Sequence, residues 1–406
     1  MKNHLPLIRF ASVATVLFFV ASVEAASKAP LAPTPPMGWN SWNWHGKPTI
    51  NEAIVRETID AMAANGLRDA GYNYIVVDGG WRDTKLSPAG ELLPHPVKFP
   101  GGMKALADYA HERGFKFGLH TVPGSHDCGG DQVGGFGRED VHVRQFVSWG
   151  LDFVKLDKCR YDAGWDEPVV EAAYRRWSTL LAGCGRDIVY NISAYRYRDW
   201  YPEVCHMART TYDIAARVTG GAVFDLPDKP DRRNFLSVMT IAELNDQVSD
   251  HARPGYWNDP DMLATGPQGL TPSEQRVHFA LWCIMSAPLF IGSDPRTMAA
   301  DELALLTNKD AIAINQDPQE QGKKLIDRGT VETWIKKMSD GRVAVLLLNR
   351  DAEIAQQVPF EGALAGLSGG WRGKDVFSGE AVKSDNGSFS MEVAPHSCVL
   401  VLIAKP

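Results

Sequence analysis

Three short segments carry charged side chains at spacings that suit nucleophilic and acid–base chemistry. The first is Asp152-Phe153-Val154-Lys155-Leu156-Asp157-Lys158-Cys159, an apolar strand that ends in charge. Side chains two apart on a strand point the same way, so Lys155 and Asp157 share a face. A lysine beside an aspartate keeps the carboxylate ionised. An ionised, fixed carboxylate is what nucleophilic catalysis through a covalent intermediate requires. The bland alternative is an ion pair that only stabilises a strand end. The second segment is Arg209-Thr210-Thr211-Tyr212-Asp213. Its charges are again an even number apart, so one face of an extended strand would carry both. Asp213 is a candidate proton donor in a partly desolvated site, and Arg209 a candidate ligand for a substrate hydroxyl. The alternative is that Asp213 caps a following helix. The third segment, Tyr256-Trp257-Asn258-Asp259-Pro260-Asp261-Met262, is a rigid acidic turn. A calcium site there lacks identifiable further oxygen ligands. No His/Cys spacing suits zinc, so neither a metal nor a cofactor is expected.

The elements around these segments alternate. Strand-like runs fall at 37–42, 73–78, 115–120, 152–157, 187–192, 206–213, 255–261 and 288–291. Amphipathic helical patterns lie between them, as at 52–64, 103–113, 141–149, 167–181 and 272–285. Eight such units over about 260 residues predict a (β/α)8 TIM barrel. The runs finish on polar or aromatic groups: Trp42, Asp78, His120, Asp157, Ser193, Asp213 and Asp261. One such group is ordinarily a helix cap, but in a barrel these strand ends converge on one mouth. After about residue 323 the texture changes to alternating strands between Gly, Asp and Asn turns. The expected domains are therefore a barrel over 26–321 and a C-terminal antiparallel β domain over 322–406.

Composition narrows the partners. Of 406 residues, 44% are hydrophobic and the net charge is −7 with basic residues dispersed, which argues against a nucleic-acid partner. Lys2 and Arg9 precede an apolar run over 10–23, too short to span a bilayer, and Val23-Glu24-Ala25 suits cleavage of a leader over 1–25. A secreted or periplasmic protein with no membrane segment after cleavage is expected, and an oligomer is left open. Cys283 and Cys398 sit in apolar runs and read as buried free thiols. That leaves Cys128, Cys159, Cys184 and Cys205 for two bridges, with the pairing open.

Four segments together resemble the signatures of glycoside hydrolase family 27, which contains α-galactosidases and α-N-acetylgalactosaminidases. They are Pro36-Met37-Gly38-Trp39-Asn40-Ser41-Trp42, Lys155 to Cys159, Arg209 to Asp213, and Trp257 to Leu263, in order. The resemblance implies a barrel followed by a β-sandwich and hydrolysis of a terminal galactoside with retention. It places the nucleophile on Asp157 and the acid/base on Asp213. It puts Trp42, Asp78, Lys155, Arg209 and Asp261 in or beside the sugar pocket. It also implies disulfides Cys128–Cys159 and Cys184–Cys205. The partner would be an oligosaccharide, polysaccharide or other glycoside.

The chain departs from the family's glycone pattern at three strand ends. Asp78-Gly79-Gly80-Trp81 stands where a paired acid is usual, His120 where Tyr is common, and Tyr190-Asn191-Ile192-Ser193-Ala194 where Cys-Glu-Trp is usual. His120 and Ser193 remain expected substrate contacts. Losing one hydrogen-bond partner to a sugar changes discrimination. β-L-Arabinopyranose, N-acetylgalactosamine and an α-glucoside are therefore alternative glycones. A binding protein without catalysis would lack one of the two acids, and a metal-dependent barrel hydrolase would need His clusters. The segment 219–234 is a candidate lid or surface loop.

Overall fold

The computed structural model describes residues 1, 30–159, 166–226 and 235–404. The expected leader, Met1 apart, and the second half of the candidate lid lie outside them. Eight parallel strands form one sheet: β1 Met37–Asn40, β2 Tyr74–Val77, β3 Lys116–Thr121, β4 Phe153–Asp157, β5 Val189–Ser193, β6 Met207–Arg209, β7 Trp257–Asp259 and β8 Leu289–Ile291. Each pairs with the next from β1 to β7, and β8 pairs with β1. The remaining seam is closed by a single bridge between Leu263 and Ile291, where Leu263 N donates to Phe290 O at 2.8 Å. The barrel is therefore closed by the chain just past β7.

The strands are buried on both faces, as a parallel sheet wrapped by helices must be, and β2 (Tyr-Ile-Val-Val) is buried throughout. The helix Glu52–Ala64 starts because the Asn51 side chain accepts from Ile54 N, and it lays Val55, Ile59 and Met62 against the sheet. The helix Pro272–Ile284 opens on a Thr271/Glu274 capping box with Pro at its first position.

Inside the barrel, alternation sorts the side chains into layers. Tyr74, Phe153 and Phe290 make an aromatic floor, with ring centroids 5.6 Å apart for Tyr74–Phe153 and 5.4 Å for Phe153–Phe290. Two residues on from this floor stand Lys155, Asn191 and Arg209, which follow Phe153, Val189 and Met207. Two further on, Lys155 gives way to Asp157 at the mouth. A strand period of two thus lifts apolar, then cationic, then acidic groups toward one end.

The β domain has a six-stranded antiparallel sheet and a two-stranded one, Gln356–Glu361 with Ser388–Val393. The larger sheet includes Lys323–Asp327, Trp371–Asp375 and Ala381–Ser384, which sequence patterning missed because charge and Gly break their alternation. Two cations, Lys336 buried and Arg350 partly so, tie this domain to the barrel. Lys336 Nζ donates to Ser286 Oγ at 2.5 Å, Ile314 O at 2.7 Å and Asp317 O at 3.1 Å. Arg350 pairs with Asp225, Glu332 and Glu243.

Two expectations are corrected. Cys128 and Cys159 form a disulfide, but Cys184 and Cys205 are free thiols, as are Cys283 and Cys398. Each of the first two is satisfied by a nearby carbonyl instead: Cys184 Sγ donates to Arg186 O and Cys205 Sγ to Tyr201 O. The strand parity proposed for Arg209 and Asp213 also fails, because β6 ends at Arg209 and the chain turns before Asp213. The turn itself brings the two side chains together.

Candidate active site

A pocket of about 160 Å³ opens at the C-terminal ends of the barrel strands. Eight of the nine expected catalytic and substrate-contact residues line it: Trp42, Asp78, His120, Lys155, Asp157, Arg209, Asp213 and Asp261. Ser193 does not. Its short side chain is buried at the end of β5, and Tyr195, two residues on, reaches the pocket instead.

Lys155 and Asp157 do share a face, but the direct partner of Lys155 is Asp78. Lys155 Nζ lies 2.7 Å from Asp78 Oδ2, and Asn40 Nδ2 donates to the same oxygen at 3.0 Å. Burial opposes charge on Asp78, yet Lys155 and the Gly79 N–H outweigh it and hold the carboxyl well below the usual range. Burial likewise opposes charge on Asp157. The His120 hydrogen bond and the Lys155 charge overcome it, so Asp157 too is held below the ordinary carboxylate value. Burial disfavours the Lys155 ammonium, but Asp78 and Asp157 together raise its pKa above the ordinary lysine value. The pocket base therefore holds a fixed ammonium and two fixed carboxylates.

The opposite wall is built on Arg209. It reaches Asp213 Oδ1 and Asp261 Oδ2, each at 3.0 Å. Asp261 is held with φ 83°, a left-handed backbone costly for a residue with a Cβ. Three bonds impose it: Ile214 N and Met262 N donate to its carboxylate at 2.8 Å, and Trp282 Nε1 donates to its carbonyl at 2.7 Å. Burial, against the pull of Arg209, pushes Asp261 up to about 6. Asp213 is more open, with its side chain 39% exposed against 16% for Asp157.

Asp157 is gripped from two sides. His120 Nε2 lies 3.4 Å from Oδ2, and the Tyr195 hydroxyl donates to Oδ1 at 3.0 Å. The Cys128–Cys159 bridge pins the loop that follows β4 to the pocket rim. Cys128, Asp157 and Cys159 group closely, but both sulfurs are used in that bridge, so the group offers a cation one carboxylate.

Sequence reasoning missed Tyr195, Arg82 and Asp127. Arg82 is buried in the hairpin strand after Gly80, donates to Thr121 Oγ1 at 3.1 Å and lies 3.7 Å from Asp127. The adjoining Gly-Gly turn was the available signal. Gly80 has φ 106°, and a Cβ there would meet Lys47 O at 2.7 Å; a Cβ at Gly79 would press on the Trp42 ring at 3.2 Å. Gly79 thus leaves room for the Trp42 ring in the pocket lining.

The alpha galactosidase A family model matches residues 34–317, and that of the alpha galactosidase C-terminal beta sandwich domain matches 328–403. This chain belongs to the alpha-galactosidase family. It is 35% identical over 381 residues to alpha-galactosidase 2 of Arabidopsis thaliana, covering 92% of this chain and 90% of that one. It is 36% identical over 379 residues to the alpha-galactosidase of Cyamopsis tetragonoloba, covering 92% and 87%. Alpha-galactosidase I from Mortierella vinacea superposes with a TM-score of 0.85 at 27% identity, over 92% of this chain and 98% of that chain. The resemblance to glycoside hydrolase family 27 read from the four segments is thus borne out, and the chain is a glycosidase with a barrel and a C-terminal β domain.

Proposed function

We propose that the protein is an exo-acting α-galactosidase that works with retention, with Asp157 as nucleophile and Asp213 as acid/base. The observation that supports this most is the sharing of one pocket by an ionised, clamped Asp157 and an open Asp213. Asp213 would give its proton to the leaving oxygen while an Asp157 oxygen attacks the anomeric carbon. In the second step Asp213 would take a proton from water, whose oxygen displaces Asp157. Retention asks for carboxyls about 5–5.5 Å apart. Lys155 closes the base of the pocket and Arg209 stands in its wall, which suits a chain end rather than a chain middle. Asp78, Lys155 and Arg209 would bind the glycone hydroxyls, with Trp42 as an apolar wall.

Gly79 favours a second reading of the glycone. It supplies no carboxylate beside Asp78, so β-L-arabinopyranose or N-acetylgalactosamine remains a competitor to galactose. Among the described residues no helix is long and apolar enough to cross a membrane. Together with the leader read from the sequence, this supports export to the periplasm or medium.

The test is release of nitrophenol from α-galactoside, α-N-acetylgalactosaminide, β-L-arabinopyranoside and α-glucoside. The α-galactoside should be the best substrate. Asp157→Ala should lower kcat by roughly 10⁴-fold or more with the melting point retained. A variant as fast as wild type would remove Asp157 from the chemistry.

A further inference from the structure

We infer that Tyr195 is a further catalytic residue: its phenol holds the nucleophile's Oδ1, dictates that Oδ2 attacks, and drives breakdown of the covalent intermediate. This rests on the reading of Asp157 as nucleophile. The two oxygens of Asp157 are not equivalent. Oδ1 accepts a well-formed bond from the Tyr195 hydroxyl at 3.0 Å, while the hydrogen-bond donor facing Oδ2 among the described residues is His120 Nε2, at 3.4 Å. The less engaged oxygen is the better attacking group, because less hydrogen bonding is lost when it bonds to carbon.

The placement of Tyr195 is forced rather than incidental. Its φ is 66°, a left-handed backbone that a residue with an aromatic side chain adopts only under constraint. The constraint is visible. The ring stacks on Tyr212 with centroids 5.5 Å apart and planes 8° from parallel. Tyr212 directly precedes Asp213, so this stack links the loop after β5 to the turn that carries the acid/base. The negative charge of Asp157, then burial, then Asp213 raise the Tyr195 pKa far above the usual phenol range. The hydroxyl therefore stays protonated and can only donate to the carboxylate.

The chemical consequence differs between the two steps. In the first step Asp157 gives an electron pair from Oδ2 to the anomeric carbon, the bond to the leaving oxygen breaks with its pair as that oxygen takes the Asp213 proton, and Oδ1 becomes an ester carbonyl. The phenol bond weakens because the charge has gone. In the second step the oxygen of water bonds to that carbon and its proton passes to Asp213. The carbon–Oδ2 bond breaks with its electron pair, and negative charge returns to the carboxylate. The phenol bond strengthens as that charge develops, which lowers the second barrier selectively.

Tyr195→Phe isolates the hydroxyl, because it keeps the ring, the stack and the Cβ. On a nitrophenyl glycoside that the wild type hydrolyses, with a good leaving group, kcat should fall roughly 10- to 100-fold. KM should fall in parallel, kcat/KM should change less than about threefold, and a burst of one equivalent of nitrophenol should appear. The acid limb of kcat/KM should move to higher pH, because Asp157 loses a donor. Tyr212→Leu, which removes only the stack, should give a weaker form of the same split and stands in if the first variant misfolds. Equal loss of kcat and kcat/KM without a burst, or unchanged kinetics, would overturn the assignment. Asp157→Ala distinguishes the underlying reading: normal turnover there would refute the nucleophile, whatever Tyr195→Phe does.

Discussion

The barrel mouth and the junction between barrel and β domain are built from the same materials, largely buried cations among carboxylates and carbonyls, and are finished in opposite ways. At the junction Lys336 has three oxygen acceptors, and Arg350 spends Nε and both terminal nitrogens on Asp225, Glu332 and Glu243. At the mouth the polar groups are left partly unspent. Arg209 Nε and His120 Nδ1 are buried without a hydrogen-bond partner among the described residues. Both left-handed residues of the pocket, Tyr195 and Asp261, are there as well. A saturated ion cluster fixes one domain on another. An unsaturated one keeps donors and fields available for something that arrives later.

That contrast can be broken by removing one cation from each region. At the mouth, Lys155→Met should lower kcat/KM by about 10²- to 10³-fold, because Asp78 and Asp157 lose the charge that fixes them. Steady-state kinetics on the α-galactoside would measure it. At the junction, Arg350→Met strands Asp225 and leaves the fully buried Glu332 with Lys324 as its cation and Trp334 Nε1 as a donor. It should cost about 3–5 kcal/mol in denaturant unfolding and leave KM unchanged. If Arg350→Met altered KM more than stability, the division of labour between the two regions would be wrong.

Lys336 sharpens the comparison with a smaller effect. Burial lowers its pKa to about 8, while an unfolded lysine titrates near about 10.4. Between those values the unfolded chain holds a proton that the folded one has lost, so this residue adds stability as pH rises through that window. Below about 8 both states are protonated and the slope vanishes. Lys336→Met should remove that part of the rise, read as the difference in unfolding free energy between pH 8 and 10.

Much of this was legible in the sequence because a barrel strand has period two and ends at the mouth. Lys155 and Asp157 were placed on one face from spacing alone, and the eight runs fell on the eight strands. What failed was whatever depends on the chain after a strand stops. Arg209 and Asp213 meet through a turn, not through parity. Tyr195 replaces Ser193 as the pocket contact because its backbone crosses into the left-handed region, which no local pattern in Ser193-Ala194-Tyr195 announces. The Cys184–Cys205 bridge was carried by resemblance, and a bridge depends on three-dimensional approach.

The single Leu263–Ile291 bridge that closes the barrel has a thermodynamic consequence. Leu263 lies two residues beyond Asp261, which lines the pocket, so completing the cylinder and completing the pocket are one event. Opening the seam must carry Asp261 away from Arg209. A ligand gripped by that wall therefore acts as a clasp on the whole fold, and by mass action its concentration sets how often the cylinder comes undone.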